Sequence, residues 1–214
     1  MLKIIPNINV ASEVEFQKTI KKLPITAELV QIDIADGTFT PKNNWYNKDQ
    51  ILKKVPCAIE LHIMATDPRP IISEWLTDEK VKNIIFHFDG MDQSEIISLA
   101  TLIRENGKTP GIALRPETAP EKLTDIISYF DCILILGVHP GVAGQPYIPE
   151  TTNKIALTKK LYPDKLVEAD GGVGLKNVRD IGIAGADYAC AASAIFSTDD
   201  PTEALRQLTL ASKI

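Results

Sequence analysis

Three short apolar stretches carry polar and titratable groups two residues apart: Gln31 and Asp33, then Glu60, His62 and Met64, then Glu168 and Asp170. Side chains alternate along a strand, so each set shares one face. If those faces point into a common interior, Asp33, His62 and Asp170 converge near its top. Glu60 and Glu168 then lie one layer below. Charged groups in an interior layer are costly unless paired or hydrogen-bonded, so several on inward parity mark a candidate reactive centre. Asn7 and Asn9, His87-Phe88-Asp89 and Arg115 close other apolar runs, and Asp36 lies just beyond Asp33.

Glycine supplies a second signal. Half of the 12 glycines fall between residues 137 and 174, in GVHPGVAGQ and ADGGVG. Such loops let backbone N–H groups approach an anion closely. With Ala192-Ser193 they read as a phosphate cup made of Gly141, Val142, Ala143, Gly144, Gly171, Gly172, Ala192 and Ser193. Other chemistries lack their residues. There is no G-x-S-x-G elbow and no G-x-G-x-x-G after the first strand. His62, His87 and His139 do not promise the convergence of a three-histidine zinc site. His87 reads better as a hydrogen-bonded strand-end residue. The cysteines Cys57, Cys132 and Cys190 read as packing in or beside strands, and Trp45 and Trp75 as covering helix or loop surfaces.

The elements that must position these groups alternate. Short runs at Lys3–Ile8, Leu29–Ile34, Ala58–Met64, Asn83–Phe88, Thr109–Leu114, Cys132–Val138, Leu166–Ala169 and Asp187–Cys190 read as strands. Segments of helical periodicity lie between them, as at Ile96, Ile97, Leu99, Ala100 and Ile103. Ser12 with Glu15 forms a capping-box pattern; Asp92, Thr151 and Asp200 are further candidate helix starts, and Gly107 and Gly185 candidate stops. Eight strand-then-helix units predict a closed (β/α)8 TIM barrel, one domain over residues 1–214. Catalytic groups of such barrels sit at the C-terminal ends of the strands, where the polar residues above fall.

Composition bounds the rest. The chain has 214 residues, 23 Lys plus Arg against 28 Asp plus Glu, and a net charge of −5, which argues against a nucleic-acid partner. No apolar run is long enough to span a bilayer, and no signal peptide is visible. Three widely spaced cysteines without C-x-x-C fit a reduced, cytoplasmic protein with no membrane partner. The sequence leaves a homo-oligomer open.

PNINVAS, QIDIADGTFTP, ELHIM, FHFD, GIALRPET, GVHPGVAGQPYIP, EADGGVGLKNV and AASAIF, in that order, resemble the ribulose-phosphate 3-epimerase family over nearly the full chain. The resemblance implies interconversion of D-ribulose 5-phosphate and D-xylulose 5-phosphate, a phosphorylated ketose, through a metal-stabilised enediolate. Asp33 and Asp170 would be the two carboxylates that move the C3 proton. It implies a divalent cation, zinc, iron, manganese or magnesium, on Asp33, His62 and Asp170, with Asn7, His62 and Met64 against the substrate. The family's fourth ligand, a histidine, is Gln31 here, whose amide oxygen is the weaker donor for zinc or iron. Asn7, Ala35, Leu136 and Ala192 replace the family's serine, two methionines and a glycine near the same centre. These departures imply an alternative, a divergent phosphosugar-binding barrel with lost or altered epimerase activity. A decarboxylase-type barrel needs D-x-K-x-x-D, and Asp33-Ile34-Ala35-Asp36 lacks the lysine.

Overall fold

The computed structural model of the protein describes residues 2–141 and 144–213. Eight parallel strands close into a barrel in chain order: β1 (Lys3–Ile8), β2 (Leu29–Ala35), β3 (Ala58–Met64), β4 (Val81–His87), β5 (Thr109–Leu114), β6 (Cys132–Leu136), β7 (Leu166–Asp170) and β8 (Tyr188–Ala191). Helices α1 (Glu13–Ile20), α2 (Lys48–Lys54), α3 (Arg69–Trp75), α4 (Gln93–Glu105), α5 (Glu150–Leu161), α6 (Val178–Ile183), α7 (Ser193–Phe196) and α8 (Pro201–Ala211) complete the chain. The architecture is the expected TIM barrel. None of the described helices is long and apolar enough to cross a membrane.

Several local expectations hold for the reasons given. The Ser12 hydroxyl accepts from Glu15 N at 3.2 Å, and the Glu15 carboxylate reaches back to Ala11 N at 2.8 Å, which satisfies two free donors of α1. Asp200 caps α8 through Glu203 N at 3.0 Å. Gly107 and Gly185 sit just past α4 and α6 in the left-handed region.

Others are corrected. The fifth strand is followed by two 3-10 turns, Pro120–Leu123 and Ile127–Tyr129, in place of an α-helix. Thr151 lies inside α5, whose N-cap is Pro149, whereas Asp92 does start α4 as its N-cap residue, without a side-chain cap bond. β6 ends at Leu136, because the chain turns there into the glycine loop that begins at Gly137. Trp75 is fully buried under α3 and does not cover a surface. Trp45 is half-buried and stacks on Phe16 at 4.9 Å.

The larger apolar cluster joins outward-facing strand residues, such as Val30, Ile32 and Ile34, to the helices. The barrel interior is a separate space, and its two halves differ. Toward β4, β5 and β6 it is filled by Ile85, Ala113, Cys132, Leu134 and Leu136. Toward β1, β2, β3 and β7 it holds Asn7, Gln31, Asp33, Glu60, His62, Glu168 and Asp170, all buried. Pairing aligns these in tiers: Gln31 lies beside Glu60, and Asp33 beside His62.

Candidate functional site

The upper tier is built on strand ends. Asp33, His62 and Asp170 bring their ligating atoms within 4.8 Å of one another. His62 Nδ1 is 3.2 Å from Asp33 Oδ1 and 3.2 Å from Asp170 Oδ2. The Asn7 amide nitrogen lies 3.3 Å from Asp33 Oδ1 and 3.2 Å from Asp170 Oδ1, so one residue of β1 tethers both carboxylates. Asn9 donates to Asp33 Oδ2 at 2.8 Å, and Asn44 donates to the Asp33 backbone oxygen at 2.8 Å. The sequence marked Asn9 as a strand-end polar residue without a partner; only the closed barrel supplies one.

On its other side His62 Nε2 meets His87 Nε2 at 3.0 Å. Two ring nitrogens at this distance need one proton between them. Burial, then the charges of His62 and Arg115, holds His87 well below the ordinary histidine range, so His87 is the acceptor. Its proton then sits on Nδ1. His87 is hydrogen-bonded, as its strand-end position suggested, and it stands outside the Asp33–His62–Asp170 group. His139 is exposed and pairs with Glu117 at 2.6 Å, away from the other two histidines.

Electrostatics bind this tier into one unit. Burial opposes a charge on His62, but the hydrogen bonds to Asp170 and Asp33 overcome it and hold the imidazole up at about 10. Burial, followed by the neighbouring charge of Asp170, raises Asp33 above its ordinary value against the opposing pull of His62. An imidazole and two carboxylates meeting at one point form a donor set that a divalent cation fits.

Gln31 does not join them. Its amide nitrogen donates downward to Glu168 Oε1 at 3.2 Å, and its carbonyl oxygen has no hydrogen-bond partner among the described residues. The lower tier gathers Gln31 with Glu60 and Glu168. Glu60 accepts from Asn83 at 2.8 Å, and Glu168 accepts from the Cys190 thiol at 2.8 Å. Burial raises both glutamates above their ordinary values, Glu168 the more strongly.

A cavity of about 290 Å³ opens above the upper tier, the size for a small metabolite. Asn7, Asp33, His62, Met64 and Asp170 line one side. Gly141, Gly144, Gly171, Gly172, Ala192 and Ser193 line another. Val142 and Ala143 lie outside the described residues. Two glycines are dictated by the close approach of these loops. Gly171 and Gly172 have φ of +95° and +70°. A Cβ on Gly172 would stand 2.8 Å from the Tyr147 backbone, and one on Gly171 2.6 Å from Val138 Cγ2.

The profile of the Ribulose-phosphate 3 epimerase family matches residues 3–196. The ribulose-phosphate 3-epimerase of Schizosaccharomyces pombe is 29% identical, with 96% of this chain and 92% of that protein covered. That of Escherichia coli is 30% identical over 86% of this chain and 84% of that protein. The 3-hexulose-6-phosphate synthase structure from Salmonella typhimurium superposes with a TM-score of 0.72 at 17% identity, covering 98% of each chain. The orotidine 5'-monophosphate decarboxylase structure from Metallosphaera sedula gives 0.67 at 15% identity, over 99% and 98%. At such identities the structural likeness speaks for the barrel alone.

Proposed function

The chain belongs to the ribulose-phosphate 3-epimerase family of enzymes, and from that premise we propose that it interconverts D-ribulose 5-phosphate and D-xylulose 5-phosphate. The observation that carries the reading is the pair of buried carboxylates, Asp33 and Asp170, each 3.2 Å from the same imidazole nitrogen beneath the cavity.

Inverting a carbon next to a carbonyl needs a base on one face and an acid on the other. Asp33 and Asp170 fill those roles. One carboxylate takes the C3 proton, and the other, in its protonated form, returns a proton from the opposite face. The reverse reaction exchanges their parts. Asn7 keeps both oriented through one amide, and Asn9 fixes the Asp33 oxygen to which it donates. The Asn7 carbonyl oxygen has no hydrogen-bond partner among the described residues and is offered to a substrate hydroxyl. Met64 forms an apolar wall of the cavity. The backbone at Gly141, Gly144, Gly171, Gly172, Ala192 and Ser193 takes the phosphate, with Val142 and Ala143 assigned to the same loop from the sequence.

A divalent cation would be held by Asp33, His62 and Asp170, and it supplies Lewis-acid polarisation of the oxygens beside C3. Gln31 is left out of that set, because its amide nitrogen is engaged by Glu168 and its side chain belongs to the lower tier.

The test is isotope exchange. With zinc, iron(II), manganese or magnesium supplied in turn, the protein in heavy water should wash deuterium into C3 of D-ribulose 5-phosphate and form D-xylulose 5-phosphate. No exchange with any of the four ions would overturn the assignment and leave a barrel that binds phosphosugars without epimerising them.

A further inference from the structure

We propose that the barrel interior holds a second divalent-cation site, of zinc type, formed by Glu60, Glu168, Cys190 and the carbonyl oxygen of Gln31. It is distinct from the upper tier, and it does not depend on the epimerase reading.

Ligand geometry is the first argument. One donor atom each from Glu60, Glu168 and Cys190 lie within 4.8 Å of one another. A tetrahedral zinc site with ordinary bond lengths places its ligands about 3.4 Å apart. Small side-chain adjustments therefore suffice. The closest approach is already there, with Cys190 Sγ 2.8 Å from Glu168 Oε1.

The second argument is independent of the cluster's acidity. Gln31 Oε1, on a side chain 0% exposed, has no hydrogen-bond partner among the described residues, while the Glu60 and Glu168 carboxyls share a hydrogen bond with each other. Buried polar oxygens are nearly always satisfied, so an orphan in this tier points to a missing partner. Gln31 and Glu60 stand side by side on β2 and β3. The Gln31 amide nitrogen reaches across the barrel to Glu168, which puts the carbonyl oxygen of the same amide beside that carboxyl. A cation bound in the group would satisfy that oxygen's lone pairs.

Charge and hardness choose the cation. Among the described residues no salt bridge reaches Glu60 or Glu168. Two carboxylates and the Cys190 thiolate carry three negative charges against the ion's two, so the loaded group keeps a net charge of −1. The Cys190 sulfur favours a borderline-soft ion over magnesium or calcium, which take oxygen ligands. The thiol and any protonated carboxyl that ligates each give up one proton, which passes to the solvent. A route exists, because Cys190 forms part of the floor of the cavity.

Cobalt(II) tests this without reference to activity. The upper tier contains no sulfur, so a thiolate-to-cobalt charge-transfer band reports the lower site alone. Protein stripped by a chelator and dialysed to equilibrium against Co2+ should take up two ions per chain and show that band. Zn2+ should displace the signal. Cys190→Ser should lose the band and one ion, and Cys132→Ser should keep both. Asp33→Asn should lose the upper ion and keep the band. Glu168→Gln, close to the native volume, should also lose the band, and it stands in if Cys190→Ser does not fold. One Co2+ per chain with no sulfur band in the unmodified protein would overturn the proposal, as would a band that survives both Cys190→Ser and Glu168→Gln.

Discussion

The two polar tiers of the barrel share strands and burial but differ in where they lead. Asp33, His62 and Asp170 line a cavity and have polar neighbours arranged around them. Gln31, Glu60 and Glu168 are sealed below, and the Gln31 carbonyl oxygen lacks a partner among the described residues. The upper tier is organised around a point a ligand can reach, with the Asn7 amide nitrogen holding both carboxylates. The lower tier is organised around its own interior. Depth separates them: two residues along a strand, about 7 Å, is the difference between touching the cavity and supporting its floor. Loss of an upper group should therefore be read in rate, and loss of a lower one in stability or metal content.

The largest effect is expected at the upper tier. Asp170→Asn and Asp33→Asn should each lower kcat for epimerisation by about 10²–10⁴-fold, the usual contribution of a positioned proton-transfer group. Binding of inorganic phosphate should be nearly unchanged. Full activity in both variants would erase the distinction between the tiers.

Next is a pH effect in protein stripped of metal. His62 is held up at about 10 by Asp170 and Asp33, despite its burial. A histidine raised above its unfolded value of about 6.5 binds more protons when folded. Its stabilisation is complete below about pH 6.5 and is lost as pH rises toward about 10. Melting temperature should fall across that window, and His62→Gln should flatten the slope. An equal slope in the variant would place the titration elsewhere.

Asn83→Leu probes the lower tier. It removes the donor to Glu60 Oε2 and leaves that buried oxygen unsatisfied. Stability measured by urea unfolding should drop by roughly 1–3 kcal/mol, with kcat within experimental scatter of the parent. The smallest effect is at the boundary. Gln31→His should turn a donor toward the upper tier and tighten zinc there about tenfold, roughly 1.4 kcal/mol. Unchanged affinity in a competition assay would mean that residue 31 is committed to Glu168 whatever its side chain.

Much of this was legible in the residues. Period-two spacing placed Asp33, His62 and Asp170 on inward faces and Glu60 and Glu168 below them, because pleating leaves a strand only two directions. The glycines of ADGGVG marked a loop of close backbone approach, and Gly172 against Tyr147 is that approach. Asn9, Asn44 and His87 were harder to place. Each is polar, Asn9 and His87 at strand ends and Asn44 in the loop after β2, as many residues with no role are. Their parts emerge only when β1, β2, β3 and β4 lie side by side. Trp75 was misjudged because α3 is only seven residues long, too short for its periodicity to distinguish an inward face from an outward one.

The sequence alone determined the eight strands, their parity and the family, since these depend on local pattern and on the order of motifs. Tertiary structure decided which way Gln31 turns, that two histidines meet nitrogen to nitrogen, and that Cys190 lies against Glu168. Those facts depend on register between strands and on ring closure, which bring residues more than a hundred positions apart within hydrogen-bonding distance, as for Asn7 and Asp170. Spacing along a chain carries direction within one strand; distance across a barrel exists only once the strands have closed.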